Sequence, residues 1–129
     1  MPEHVSFDSE ADLIRIRVWG ANTIGDWDFS KAQVLRLVEL HGNSRLLVDV
    51  RDGESAPSIL ELFEFGAQWP HHIRTAVLLG KNNREQHQFL ETVALNRAKQ
   101  LRVFDDEQQA LAWLRRLPRG IQADRRSPT

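Results

Sequence analysis

The 129-residue chain has no cysteine, which excludes disulfides, a thiolate nucleophile and any cysteine-ligated zinc. No stretch approaches about 18 consecutive apolar residues, so no segment reads as membrane-spanning. The start, MPEHVSFDSEAD, lacks the basic residues, apolar run and small-residue cleavage site of an export signal. The expectation is a cytoplasmic protein without integral membrane association. Also missing are a GxSxG elbow and the phosphate-cradling patterns GxGxxG and GxxxxGK. No catalytic residue and no cofactor is therefore expected.

The net charge of −1 hides a split. From Arg115 to Thr129 there are five arginines and one acid, Asp124, so residues 1–114 carry 12 basic and 17 acidic side chains. An acidic body ends in a basic tail. Residues 1–117 read as one domain, and residues 118–129, with Pro, Gly, Ser and Arg, read as a disordered end. The tail has neither apolar anchors nor the aromatic interleaving that stacks on bases, so nucleic acid is not an expected partner.

Within the body the period of the apolar pattern changes repeatedly. Val5 and Phe7 alternate with polar residues, as do Leu13, Ile14, Ile16 and Val18 with Arg15 and Arg17, which predicts a half-buried antiparallel pair of strands. Val34, Leu37 and Val38 then recur at helical spacing, with Ser30 and Gln33 at capping-box distance and Gly42 as a stop. Arg45 to Arg51 is a short apolar run of the kind covered on both faces. A second helix follows Pro57, with Ile59, Leu62 and Phe63 inward. Ile73 to Gly80 is another strand, and a third helix carries Phe89, Leu90, Val93 and Ala94 on one side, with His87 on the exposed one. Leu101 to Phe104 is the last strand, and Asp105 caps a final helix. The order β-β-α-β-α-β-α-β-α makes the class α/β, with a mixed sheet of four or five strands.

The strings RLLVDVRD, AVLLG and VFDDEQQALAWL resemble the SpoIIAA-like family of STAS domains, related in fold to anti-sigma-factor antagonists and compared with CRAL-TRIO lipid-binding domains. The likeness spans roughly residues 10 to 117. It implies a STAS-like fold and a role in regulation or apolar-ligand binding rather than bond-making. In the phospho-regulated antagonists, the strand matching LLVDV leads to an Asp-Ser pair whose serine is phosphorylated. Here the stretch reads Arg51-Asp52-Gly53-Glu54-Ser55-Ala56-Pro57-Ser58, leaving Ser58 and Ser55 as candidates for a phospho-switch. Between Asp49 and Glu64 only Arg51 faces Asp49, Asp52, Glu54, Glu61 and Glu64, a net −4 that opposes an anion.

Among the histidines, His71 and His72 are adjacent and would point to opposite faces of an extended segment, so no metal site is expected. Phe63, Phe65, Trp69 and Phe89 are candidates for an apolar patch or pocket, with Phe65 falling on the outward side of its helix. Trp27 reads as a staple for the first helix. Two readings stay open. One is a non-catalytic regulatory domain that binds a protein partner, itself included as a homodimer, through an interaction loop at Arg51, Asp52 and Glu54. The other is a small carrier or sensor of an apolar or lipid-like molecule held between helices at the C-terminal side of the sheet.

Overall fold

In the computed structural model, which describes residues 3–21, 23–55, 59–80 and 84–116, the chain runs β1 (Glu3–Asp8), β2 (Leu13–Ala21), α1 (Ile24–His41), β3 (Arg45–Ser55), α2 (Ile59–Ala67), β4 (Arg74–Leu78), α3 (Arg84–Asn96), β5 (Leu101–Phe104) and α4 (Glu107–Arg115). The strands form one five-stranded sheet in the order β1-β2-β3-β4-β5. β1 is antiparallel to β2, and β2 through β5 run parallel. This is the mixed α/β sheet expected from the sequence. Because each crossover between parallel strands turns with the same hand, α1, α2 and α3 fall on one face. α4, which follows the last strand, takes the other.

Alternation along the strands sorts side chains between two cores. In β3, Leu46 enters the core under α1 to α3 and Leu47, its neighbour, the core under α4; both are fully buried. Each contributes roughly 1.5–3 kcal/mol by leaving water. In β4, Thr75 and Val77 face the first core while Ala76 and Leu78 face Ala110, Trp113 and Leu114 of α4. α4 packs on β3, β4 and β5. Arg15 and Arg17 of β2 lie on the α4 side of the sheet, where Arg15 pairs with Asp8 and with Glu107 of α4 and Arg17 pairs with Asp52, which is why the apolar pattern of β2 is interrupted there.

Local chemistry moves several expected boundaries. α1 begins earlier, because Thr23 and Asp26 form a reciprocal capping box; the side chain of Thr23 accepts from Asp26 N at 3.2 Å and that of Asp26 from Thr23 N at 2.9 Å. Ser30 is thus an interior, buried residue rather than a cap. β3 runs on past Arg51 to Ser55, since β2 is long enough to pair with it as far as Ala21, with register irregularities after Arg17 and Gly20. Asp106, not Asp105, caps α4 by accepting from Gln109 N, and Asp105 is engaged by Arg84 at 2.6 Å. Pro57, expected at the start of α2, and residues 118–129 of the basic tail lie outside the described residues.

At the other end of α4, Arg74 closes the helix from β4. Its Nε and Nη2 donate to Trp113 O at 3.0 and 2.8 Å, and its guanidinium lies 3.8 Å from the Trp113 ring centroid. A cation there complements the helix dipole and satisfies a terminal carbonyl. Desolvation, reinforced by the charges of Arg116, Arg102 and Arg45, pushes its pKa down to about 10.

Candidate functional site

The capping box sets the phase of α1, and that phase puts Trp27 and Ser30, three residues apart, side by side facing the sheet. The Ser30 hydroxyl donates to Glu3 Oε1 of the edge strand β1. Trp27 receives two partners. His87 of α3 stacks on it with ring centroids 5.5 Å apart and planes 15° from parallel, and Phe65 of α2 meets it edge-on at 5.1 Å. Phe65 in turn leans on Trp69 at 5.4 Å, and Trp69 is anchored by its Nε1, which donates to Thr75 Oγ1 at 3.0 Å.

These side chains wall a cavity of about 60 Å³ whose floor is Ile16, Val18, Val48, Val50 and Val77. Its surface is overwhelmingly apolar and it is partly open to solvent; Lys31, also in its lining, has its ammonium 5.8 Å from the Phe65 centroid. Two polar atoms in this wall have no partner among the described residues: His87 Nδ1 and Glu3 Oε2. His87 is only 3% exposed, and burial pushes its imidazole down to about 4, so it is neutral at physiological pH. Burial likewise raises the Glu3 carboxyl above its ordinary value; the Ser30 hydrogen bond opposes this and the nearby Asp26 adds to it.

Of the residues expected to form an apolar site, Phe65 and Trp69 line the cavity and Phe89 does not. For Phe63 only the backbone is described. Phe65 is half-buried rather than outward-facing, because its ring meets Trp27 of α1 edge-on and leans on Trp69. His87 is a larger correction: it sits on the buried side of α3, not the exposed one. A signal for this was present, since His87 precedes Leu90 by three and Ala94 by seven, the spacing of one helical face. Glu3 had no such signal, because its burial depends on a long-range contact with Ser30. The cavity also lies against the middle of the sheet, and none of the described residues at the carboxyl ends of the strands, Arg51 to Ser55, Gly80 or Phe104 to Asp106, lines it.

That rim has its own chemistry. Arg51 holds Asp49 by two hydrogen bonds, 3.0 and 2.7 Å, and reaches Glu107 at 3.3 Å. Burial works against the Asp49 charge, but the Arg51 hydrogen bonds and charge outweigh it and keep the carboxyl below its usual range. Asp52 pairs with Arg17 of β2 at 3.0 Å. The acidity counted along residues 49–64 is thus partly neutralised by a basic residue from elsewhere in the chain. Ser58 lies outside the described residues, and of Ser55 and Glu54 only the backbone is described. Among the described residues, no three His, Asp or Glu side chains gather as a metal cluster, and no helix is long and apolar enough to cross a membrane.

The SpoIIAA-like family model matches residues 13–115, and the chain belongs to that family. Its fold is similar to that of an uncharacterized protein of the DUF3478 family with a SpoIIAA-like fold from Shewanella loihica PV-4, with a TM-score of 0.59 and 16% identity over 87% of this chain and 93% of that one. No curated protein matches the sequence. The protein is a STAS-type domain.

Proposed function

We propose that this STAS-type domain is a non-catalytic binding protein that takes a small, largely apolar molecule into the cavity between the sheet and α1, α2 and α3. The observation that carries this reading is the cavity itself, an apolar space walled by aromatic rings from three helices. Native mass spectrometry of the protein as purified tests it. A bound small molecule is expected in the wild type and absent from Val50→Phe, which fills the floor. A bare mass for the wild type, with no change in melting temperature across a panel of small amphiphiles, would overturn the reading.

One observation favours the second reading, binding to a protein surface. Leu60, in the first turn of α2, is 79% exposed, and an apolar side chain at that position suits an anchor for a partner. The partner that needs no further component is a second copy. Light scattering on wild type and Leu60→Glu distinguishes the cases: a dimer converted to a monomer supports it, and a wild-type mass of one chain removes it.

A further inference from the structure

We infer that the end of the sheet where the parallel strands begin is a docking surface for an acidic protein segment, read by the guanidinium groups of Arg45, Arg74, Arg102 and Arg116. The strand register builds it. Arg45 of β3 and Arg74 of β4 are Cα partners, and Arg102 of β5 partners Ala76, two residues along from Arg74 on the same face of the sheet. Neighbouring strands lie about 4.8 Å apart, so the three arginines form a row roughly 10 Å across. The row runs beside the last turn of α4, where Arg74 bonds Trp113 O, and Arg116, the C-cap of that helix, adds a fourth cation. The four are close enough to act on one another: the charges of Arg116, Arg102 and Arg45 all oppose that of Arg74. The surface lies apart from the cavity, since none of the four lines it.

Folding gathers these charges without supplying their counter-charge. Arg45 pairs with the exposed Asp12 at 3.3 Å. The hydrogen bonds of Arg74 go to Trp113 O and Gln100 Oε1, and Arg102 lies over the Phe104 ring. Among the described residues, none of Arg74, Arg102 and Arg116 meets a carboxylate. Behind the row the imbalance continues inward. Lys99, only 9% exposed, has its ammonium 3.0 Å from His71 Nε2 rather than from an acid, and Gln100 links this pair to the row by bonding both His71 O and Arg74. Like charges held side by side repel until an anion meets them. Guanidinium forks match carboxylates, and an extended segment carries alternate side chains about 7 Å apart, so two acids of one segment fall within the row. Other polyanions fit less well. The rings at this end, Trp113 and Phe104, are already faced by Arg74 and Arg102 and do not stand open to stack on bases. Among the described residues, no large apolar side chain of β3, β4, β5 or α4 is exposed to enter a membrane.

Fluorescence anisotropy with the full chain tests this, using a labelled peptide of about twelve residues that alternates glutamate and serine, and its counterpart with glutamine for glutamate. The acidic peptide is expected to bind at least about tenfold more tightly than the neutral one, and to lose that advantage as salt rises to about 0.3 M. Arg102→Gln/Arg116→Gln should weaken it at least about fivefold, whereas Arg17→Gln, on the same sheet face but outside the row, should leave it within about twofold. No preference for the acidic peptide, or a preference unchanged in the double variant, would overturn the proposal. So would a loss that follows only from changing Arg119, Arg125 and Arg126 to glutamine, which would place binding in the tail. Inorganic phosphate, oligothymidylate or phosphatidylglycerol vesicles binding at least as tightly as the peptide would also overturn it, by giving this end a different ligand. The comparison of probes on the wild type stands even if the double variant does not fold.

Discussion

Trp27 of α1 and His87 of α3 stack almost in parallel, so a titratable ring forms part of the wall of an apolar cavity. The sign of its effect on stability follows from its pKa. Folded, the imidazole is pushed down to about 4, against about 6.5 in the unfolded chain. Between those values the unfolded chain binds a proton that the folded chain excludes, so stability is complete above about pH 6.5 and falls as the pH drops toward 4. Glu3 acts in the opposite sense: with its folded pKa raised, its contribution is whole below its unfolded value and is lost as the pH rises through the folded one. Urea unfolding in a Glu3→Gln background isolates the histidine. Stability should drop by about 2 kcal/mol between pH 7 and pH 5, and Glu3→Gln/His87→Leu should show no such drop. An equal drop in both would mean that His87 is solvated.

Two glycines mark close approaches of very different stiffness. A Cβ on Gly80 would stand 2.6 Å from the carbonyl oxygen of Arg51, a backbone atom of β3. Gly80→Ala should therefore cost about 1–3 kcal/mol and loosen the Arg51 grip on Asp49 and Glu107. On Gly66 the obstacles are side chains of α3 rather than backbone, Leu90 Cδ1 at 2.9 Å and Val93 Cγ1 at 3.1 Å, which can yield by a few tenths of an ångström. There the gain in helix propensity, about 1 kcal/mol, offsets the crowding, and Gly66→Ala should be near neutral. Thermal melts of the two variants compare them directly, and a more damaging Gly66→Ala would contradict this account.

Ala98 has φ +59°, in the left-handed region where a Cβ is strained, just after α3. Glycine there removes a cost of roughly 1–2 kcal/mol while adding less than that in chain entropy. Ala98→Gly should raise stability by about 0.5–1 kcal/mol, seen as a higher urea midpoint.

Arg74 combines stacking on Trp113 with two bonds to its carbonyl, a geometry that an ammonium cannot reproduce. Arg74→Lys should cost about 1–2 kcal/mol, and hydrogen exchange should quicken in α4 but not in α1. Unchanged exchange in α4 would show that the helix does not depend on this closure.

The alternation between strand and helix period carried most of the fold. RLLVDV announces a strand covered on both faces because Leu46 and Leu47 must each find a core, and they do. The extension of β3 to Ser55 was hidden, since it depends on pairing with β2 rather than on the composition of the segment. The site was only partly legible. Phe65 and Trp69 stood out by type, whereas Trp27 read as a staple and Glu3 carried no signal, and the capping of α1 sets the phase that faces Trp27 and Ser30 to the sheet. The charge of the rim was misjudged for the same reason, because Arg17 reaches Asp52 across 35 positions of sequence.

The placement of α4 bears on how the chain is made. The three helices between the parallel strands arrive in turn as the sheet grows, so the face that holds the cavity closes progressively during synthesis. Leu47, Ala76 and Leu78 on the opposite face have no cover until α4 follows β5. A nascent chain that pauses after β5 thus presents a bare apolar sheet surface, and that interval is when the protein is most exposed to aggregation or to capture by a chaperone.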